Sequence, residues 1–153
     1  MHMLDAIDTR LLAALQDNAM LTAQDLSDLL HLSPSQAARR RARLEAAGFI
    51  LRYRAELDPA KLGLGVEAFI RVVMATHTEQ NARDFVRMTR AQPEITGAWT
   101  LTGEADYLLR IFCADLAALN RLVQQVLLPH AAVSRVQSQI VMERVKHDAA
   151  LPI

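Results

Sequence analysis

The sequence predicts an α+β protein in which an N-terminal three-helix unit of the helix-turn-helix type precedes a C-terminal ferredoxin-like βαββαβ sandwich. Up to about residue 50, apolar residues recur at helical spacing. From residue 66 the predicted elements follow the order strand, helix, strand, strand, helix, strand. Between them, "LDPAKLGLG" has the proline and glycine content of a linker. We therefore predict a first domain over 1–56, a linker over 57–65 and a second domain over 66–153.

Composition excludes several classes of protein. The 153 residues are 52% hydrophobic and 22% charged, which suits a folded chain, and no apolar run reaches the roughly 20 residues that cross a membrane. Cys113 is the single cysteine, so an internal disulfide is impossible. The five histidines show no metal-ligand spacing; they are His2, His31, His77, His130 and His147. We predict a cytoplasmic protein without membrane association, metal, cofactor or enzymatic activity.

A net charge of zero conceals strong segregation. Residues 1–30 carry one basic side chain against five acidic ones, whereas residues 31–57 carry six basic side chains against two acidic ones. A positively charged segment of this kind favours contact with a polyanion. The total charge therefore does not argue against nucleic-acid binding.

Three helices are predicted in the first domain, each with its own start signal. The first covers about Asp5 to Asp17, and the second opens at Thr22, whose capping box is completed by Asp25. The third opens at Ser33 and ends at Gly48, a residue type typical of a helix C-terminus. Because only "HL" separates the second helix from the cap of the third, the two form a helix-turn-helix, whose last helix enters the DNA major groove.

The third helix presents basic residues on one side. Arg39, Arg40 and Arg43 fall within about 60° of Gln36 on a helical wheel, whereas Ala37 and Leu44 lie roughly 80–100° from it and face the core. Arginine and glutamine bind guanine and adenine edges, and arginine also binds phosphate. An ordinary solvated face is the alternative, but a solubilising helix would mix charges of both signs. Arg41 falls at the edge of the apolar side, where we expect it to extend to water or pair with an acid of the first two helices.

The segment "FILRYRAEL" follows the third helix and alternates apolar with basic residues, which predicts a short strand. This strand could act as a wing whose Arg52 and Arg54 contact phosphates, or it could only connect the domains. The complete set of predicted DNA contacts is Thr22, Ser33, Ser35, Gln36, Arg39, Arg40, Arg43, Arg52 and Arg54.

The second domain should form an antiparallel sheet with its helices on one face. In "VEAFIRVVMA", Phe69 and Val73 are apolar on the side opposite Ile70 and Val72, which favours burial of both faces. One layer of helices covers only one face. We therefore predict a homo-oligomer built from dimers.

The stretch "TLTGEADYLL" is the candidate ligand site. Gly103 lets a ligand approach the backbone, Asp106 offers an anion to an ammonium group, and Tyr107 can close a pocket. A plain hairpin turn explains the glycine and aspartate equally well.

The whole chain resembles the Lrp/AsnC (feast/famine) family of transcriptional regulators. The resemblance rests on five ordered motifs: "LDAIDTRLLAALQDNA", "LSPSQAARRRARLEAAGFI", "YRAELDPAKLG", "GEADYLLRI" and "VMERVK". It implies a winged-type helix-turn-helix that binds double-stranded DNA, and a ligand-sensing domain whose dimers assemble into larger rings, often octamers. It also implies an amino-acid effector held between dimers, with the site residues Thr100, Leu101, Thr102, Gly103, Asp106, Tyr107 and Ser138.

Two residues depart from the family pattern. His31 occupies the turn before the third helix, where glycine is usual, and histidine tolerates a positive φ better than most residues. Arg41 replaces an aliphatic residue.

Two other functions remain open. Sirohaem decarboxylases share the architecture, but they carry histidines near the second and third strands, whereas this chain has none between His77 and His130. A sensor module without DNA binding is the other alternative, and the outward arginines argue against it.

Overall fold

The computed structural model describes residues 4–153, so His2 lies outside the described part. The chain divides into two compact units. The first contains the residues up to Glu56 together with Val145–Ile153, and the second contains Leu57–Arg144. Within the described residues, no helix is long and apolar enough to cross a membrane.

Three helices form the first unit: α1 (Ala6–Asp17), α2 (Ala23–Leu30) and α3 (Pro34–Ala46). Asp5, Thr22 and Ser33 are their N-caps, and each accepts a backbone N–H within a complete capping box. The helix starts predicted at Thr22 and Ser33 are confirmed. These caps satisfy N–H groups that the first turn of a helix leaves without an intrahelical partner.

The turn between α2 and α3 depends on a left-handed residue. His31 has φ 57°, which confirms the conformation expected of a residue in the usual glycine position. Around it, the hydroxyl of Ser27 donates to the carbonyl of Leu32 at 2.6 Å, and the N–H of Leu32 donates to the carbonyl of Ser27 at 3.1 Å. These bonds hold the tight turn that sets the direction of α3.

The first unit encloses a small apolar core between its helices. The buried members are Leu11, Leu15, Leu26, Leu30, Ala37 and Leu44. Ala37 and Leu44 are fully buried, so the predicted packing side of α3 is confirmed. Leu29 is 47% exposed, although its spacing would place it on the apolar stripe of α2.

The strand predicted over "FILRYRAEL" is not present in the described structure. Residues 51–57 belong to no helix or strand, and both Arg52 and Arg54 are exposed. A strand needs a neighbour for its backbone hydrogen bonds, and the first unit offers only helices.

The second unit contains a four-stranded antiparallel sheet with two helices. After a 3₁₀ turn at Ala60–Leu62, the elements are β1 (Val66–Met74), α4 (Glu79–Ala91), β2 (Ile95–Thr100), β3 (Tyr107–Cys113), α5 (Leu116–Leu122) with a π-type extension at Val123–Leu127, and β4 (Val133–Ile140). The strand order is β2-β3-β1-β4. This is the predicted βαββαβ arrangement, so the fold class is confirmed.

The two faces of the sheet differ in burial. Ala68, Ile70, Val72 and Met74 of β1 are buried and join a core with Phe85 of α4 and with residues of β3 and α5. The alternate residues Phe69 and Val73 are half-buried, and Arg71 is exposed. Because successive side chains of a strand point to opposite faces, these three residues lie on the face away from the helices. We call this the open face.

The end of the chain lies with the first unit, although the sequence groups it with the second domain. The side-chain amide of Gln16 in α1 donates to the carbonyl of Leu151 at 3.2 Å and accepts the N–H of Leu151 at 2.7 Å. These two bonds reproduce the donor and acceptor pattern of a backbone pair. They hold residues 145–153 within the helical unit.

Candidate functional site

The helix α3 is held by its buried residues and leaves one side exposed. Ala37 and Leu44 pack into the core, whereas Ser35, Gln36 and Arg39 are exposed. Within residues 4–153, Arg39 enters no hydrogen bond or ion pair. Its guanidinium therefore keeps all its donors available for a ligand.

Unlike Arg39, Arg40 and Arg43 are paired with acids of α1, which the wheel does not predict; Arg40 is half-buried, whereas Arg43 is exposed. The carboxylate of Asp8, which is only 2% exposed, accepts Arg40 Nη1 at 2.7 Å. Arg43 Nη2 lies 2.6 Å from each oxygen of the same carboxylate. Asp5 accepts the same Arg40 nitrogen at 2.7 Å. We call these four residues the acid–arginine cluster.

Side-chain length explains the difference. On the wheel, Arg40 lies only about 60° from the buried position of Ala37, so it borders the interface with α1. A long guanidinium side chain at such a border reaches the acids at the start of the neighbouring helix. Only 24% of the Arg40 side chain is exposed, against 42% for Arg43.

Hydrogen bonds in this cluster favour the charged forms. The backbone N–H of Asp8, followed by the guanidinium of Arg40, lowers the pKa of Asp5. The carboxylates of Asp5 and Asp8 raise the pKa of Arg40. The cluster thus places two carboxylates against two guanidinium groups.

Arg41 takes a position that the sequence predicted only in part. Its guanidinium lies 4.8 Å from the centre of the Tyr53 ring and donates to the carbonyl of Leu21 at 2.9 Å. Its ion pair, at 3.1 Å, is with Glu45 of its own helix, and not with an acid of α1 or α2 as expected. The Tyr53 hydroxyl donates to Glu45 at 2.8 Å and, ahead of Arg41, lowers the pKa of Glu45. Arg41 thus anchors the segment after α3.

The capping residues among the predicted contacts are engaged within their own helices. The Thr22 hydroxyl donates to Asp25 at 2.7 Å and accepts the Asp25 N–H at 3.2 Å. Gln36 uses its carbonyl oxygen to accept the Ser33 N–H at 3.0 Å, which leaves its amide N–H groups as donors. The Ser33 and Ser35 hydroxyls lie 3.1 Å apart at the start of α3.

The second unit contains a separate cluster around Asp106, in the turn between β2 and β3. One oxygen of Asp106 accepts the N–H of Met74 at 2.7 Å, and the other lies 3.5 Å from Nδ1 of His77. The Asp106 backbone also donates to the carbonyl of Val72 at 2.9 Å. The carboxylate is 29% exposed, so it ties the turn to β1 and still reaches solvent.

Two cavities flank Tyr107. A cavity of about 280 Å³ is lined by Met74, Thr76, His77, Thr78, Glu79, Ala82 and Tyr107. A groove of about 340 Å³ runs between α4 and β2, with Thr100, Trp99 and Tyr107 among its lining residues. The Tyr107 ring lies against Phe85 at an interplanar angle of 37°, with 4.5 Å between centroids, and lines both spaces.

The other predicted effector residues are more dispersed. Leu101, Thr102 and Gly103 are exposed in the turn, where Gly103 has φ 110°, a conformation that favours glycine. Ser138 lies on β4 opposite Ile70 and lines neither of the two cavities. Within residues 4–153, no group of three His, Cys, Asp or Glu side chains could hold a metal ion.

Two parts of these sites were missed by the sequence analysis. His77 follows β1, and only the antiparallel pairing of Val72 with Tyr107 brings it to Asp106. Asp5 and Asp8 had a signal, since the acidic residues 1–30 precede the basic residues 31–57, but the charge pattern does not show which acid meets which arginine.

Two family models match the chain. An AsnC-type helix-turn-helix domain matches residues 4–45, and an Lrp/AsnC ligand binding domain matches residues 67–151. Together they cover both units.

Characterised relatives match over nearly the full length. The chain is 35% identical over 151 residues to the DNA-binding transcriptional activator DecR of Escherichia coli strain K12, covering 99% of each chain. It is 33% identical to the glutamate uptake regulatory protein of Zymomonas mobilis, covering 98% of this chain and 91% of the relative. Among solved structures, a transcriptional regulator of Neisseria meningitidis in complex with L-methionine matches with a TM-score of 0.93 and 40% identity, covering 98% and 97% of the two chains.

The lowered pKa values predict acid sensitivity of the helical unit. A carboxyl group whose pKa is lower in the folded state stabilises that state above its ordinary value, here 3.8, and loses the contribution as pH falls through the folded pKa. We expect the melting temperature of the wild type to decrease as the pH is lowered below about 4. The melting temperature of Asp5→Asn should decrease less steeply over the same pH range. Circular dichroism melts from pH 6 downwards measure this, with Asp17→Asn, at an exposed acid of the same helix, as the control. Equal slopes for Asp5→Asn and the wild type would contradict the assignment.

Proposed function

The chain belongs to the Lrp/AsnC family of transcriptional regulators, and on that premise we propose that it binds specific double-stranded DNA through α3 and responds to an amino-acid effector. The observation that carries the proposal is the position of α3. This helix follows a tight left-handed turn, is fixed by Ala37 and Leu44, and exposes polar and basic side chains. The predicted cytoplasmic location and the absence of enzymatic activity form part of the same proposal.

We assign different DNA contacts to different residues on the exposed side of α3 and in the segment that follows it. Arg39, with its guanidinium unengaged, and the free amide N–H groups of Gln36 are the candidates for contact with base edges. Ser33 and Ser35 at the helix start suit phosphate oxygens, since a helix N-terminus favours anions. The exposed Arg52 and Arg54 are the remaining phosphate candidates. Arg40 and Arg43 are held by acids of α1 and can reach DNA only through the N–H groups that these acids leave free.

Replacing Arg39 tests the DNA contact. We expect Arg39→Ala to weaken binding by about 10- to 100-fold, since a bidentate arginine–guanine contact contributes about 1–3 kcal/mol. The measurement is fluorescence anisotropy on a duplex that the wild-type protein selects from a random-sequence pool. Arg90→Ala, in α4, removes one positive charge from the other unit and should leave affinity unchanged. Unchanged affinity of Arg39→Ala at moderate salt would contradict the role of Arg39.

The Asp106 cluster supports an amino-acid site. The carboxylate can accept an α-ammonium group, and the adjacent cavity of about 280 Å³ is close to the smaller end of typical ligand pockets, about 300 Å³. The Neisseria meningitidis structure contains L-methionine, and the Zymomonas mobilis relative is named for glutamate uptake. We propose that Thr100 at the end of β2 and Leu101, Thr102 and Gly103 in the following turn complete the surroundings of the ligand. Ser138 stays a candidate from the resemblance alone.

A thermal-shift screen of the common amino acids tests this site. We expect at least one to raise the melting temperature, and Asp106→Asn to reduce that shift strongly because the ion pair with the ammonium is lost. The substitution keeps an oxygen for the Met74 N–H, so the turn can persist. Glu104→Gln, which removes an exposed charge from the same turn, is the matched control. A shift unaffected by Asp106→Asn would count against the site.

The open face of the sheet supports a homodimer that assembles further, in the family often to octamers. Besides Phe69 and Val73, Leu108 and Phe112 of β3 are half-buried there. Glu67 on this face accepts Arg110 at 2.8 Å and Arg144 at 2.9 Å. Burial alone would raise the pKa of Glu67, but the bonds from Arg144 and Arg110 hold it lower. An apolar surface with paired charges suits a second copy of the chain.

A charged residue on the open face should disrupt the dimer. We expect Leu108→Asp to lower the molar mass measured by light scattering, because a carboxylate at an apolar contact would lose its hydration. Met142→Asp introduces the same charge at a fully exposed position and should leave the mass unchanged. A Leu108→Asp protein with the wild-type mass would exclude this face as the interface.

A further inference from the structure

The acid–arginine cluster defined by Asp5, Asp8, Arg40 and Arg43 has a feature that DNA binding alone does not explain. Asp8 is almost fully buried, and its two oxygens are occupied by both arginines at 2.6–2.7 Å. Asp5 adds a second carboxylate to Arg40 and is itself about half exposed. Two arginines of the helix that faces DNA are therefore paired with acids from another helix.

Burial makes this pairing persistent. A carboxylate deprived of water needs its ion pairs, and removal of a partner leaves an uncompensated buried charge. Arg40 and Arg43 are the partners of Asp8, so neither can leave it for a DNA phosphate without that penalty. Arg43 keeps its remaining N–H groups toward solvent, but in an orientation set by Asp8.

The pairing also removes charge from the surface that meets DNA. Affinity for DNA of any sequence increases with the number of phosphates that lysine and arginine neutralise. Two carboxylates behind α3 offset the charge of two of its arginines, while Arg39 keeps its charge unpaired within the described residues. The attraction of α3 to DNA of any sequence is thereby reduced, and contacts to base edges contribute a larger share of the total affinity for DNA.

We propose that Asp8 is a specificity-determining positioning residue, a buried counterion that holds Arg40 and Arg43 and limits binding to DNA of arbitrary sequence. The proposal rests on the DNA-binding function proposed above. It assigns Asp8 an effect on the ratio between specific and non-specific affinity, which a residue needed only for folding would not have.

The test compares wild type, Asp8→Asn and Asp17→Asn on two duplexes. One duplex is selected by the wild-type protein from a random pool, and the other is a random-sequence duplex of equal length. Anisotropy titrations from about 0.05 to 0.4 M salt give the affinity and its salt dependence for each. Asp17→Asn removes an exposed carboxylate from the same helix, so it reports the effect of net charge alone.

We expect Asp8→Asn to bind the random duplex more tightly, by roughly tenfold at 0.1 M salt for each arginine that gains a phosphate. The slope of log K against log salt should become steeper by about 1 to 2, and the ratio of selected to random affinity should fall. Asp17→Asn should leave the ratio close to that of the wild type.

Other outcomes overturn the proposal. Weaker binding to both duplexes with an unchanged or shallower slope would show that Asp8 only supports the fold. An equal change in Asp17→Asn would assign the effect to net charge. If Asp8→Asn does not fold, Asp5→Asn removes one of the two carboxylates on Arg40, which keeps its bond to Asp8, and should still tighten binding to the random duplex. No change beyond that of Asp17→Asn would reject the proposal. If the wild type selects no sequence from the pool, the proposed function fails as well. If the wild type does select a sequence and Asp8→Asn has the same ratio of selected to random affinity, this inference alone is rejected.

Discussion

The first unit depends on a buried carboxylate held between two helices. Asp8 lies in the first turn of α1, where it completes the capping box with Asp5 and accepts both Arg40 and Arg43. A buried charge is tolerated only when its partners satisfy it, so these bonds define the distance and rotation of α3 relative to α1. The apolar core between the helices is small, and Ala37 and Leu44 fix α3 on it. The ion pairs add a polar connection between α1 and α3.

The second unit is organised by the one-sided placement of its helices. Ala68, Ile70 and Val72 are buried under α4 and α5, and the same strand exposes a partly apolar row on the open face. Because four strands with one helical layer leave half the sheet uncovered, association with a second copy is the simplest way to complete the burial. Asp106 adds a polar connection at one end of the sheet, where it joins the β2–β3 turn to the end of β1. A ligand bound there would contact strands that also form the open face, so effector binding and the proposed dimer would involve the same strands.

Much of this organisation follows from the sequence. The helix starts were predictable because Thr22 and Ser33 have local capping partners three residues later, and local hydrogen bonds need no knowledge of tertiary structure. The order of strands and helices was predictable because the apolar residues have helical spacing in the first domain and alternate, as in a strand, from residue 66. The segment after α3 was wrongly predicted as a strand for the opposite reason. Alternation at Phe49–Arg54 resembles a strand, but a strand exists only where another can pair with it.

The sequence by itself determined the two-domain α+β fold, the family, the position of the recognition helix and the left-handed turn at His31. These depend on local spacing, capping and backbone preference. Only the tertiary structure decided the roles of the arginines in "ARRRAR". A helical wheel gives the direction of a side chain but not its reach, and the long arginine side chains at the border of the interface reach the acids at the start of α1. Arg39 is therefore left unpaired among the described residues, Arg40 and Arg43 are held by Asp8, and Arg41 lies over the ring of Tyr53. The same holds for His77 beside Asp106, because distant parts of the chain meet only through strand pairing.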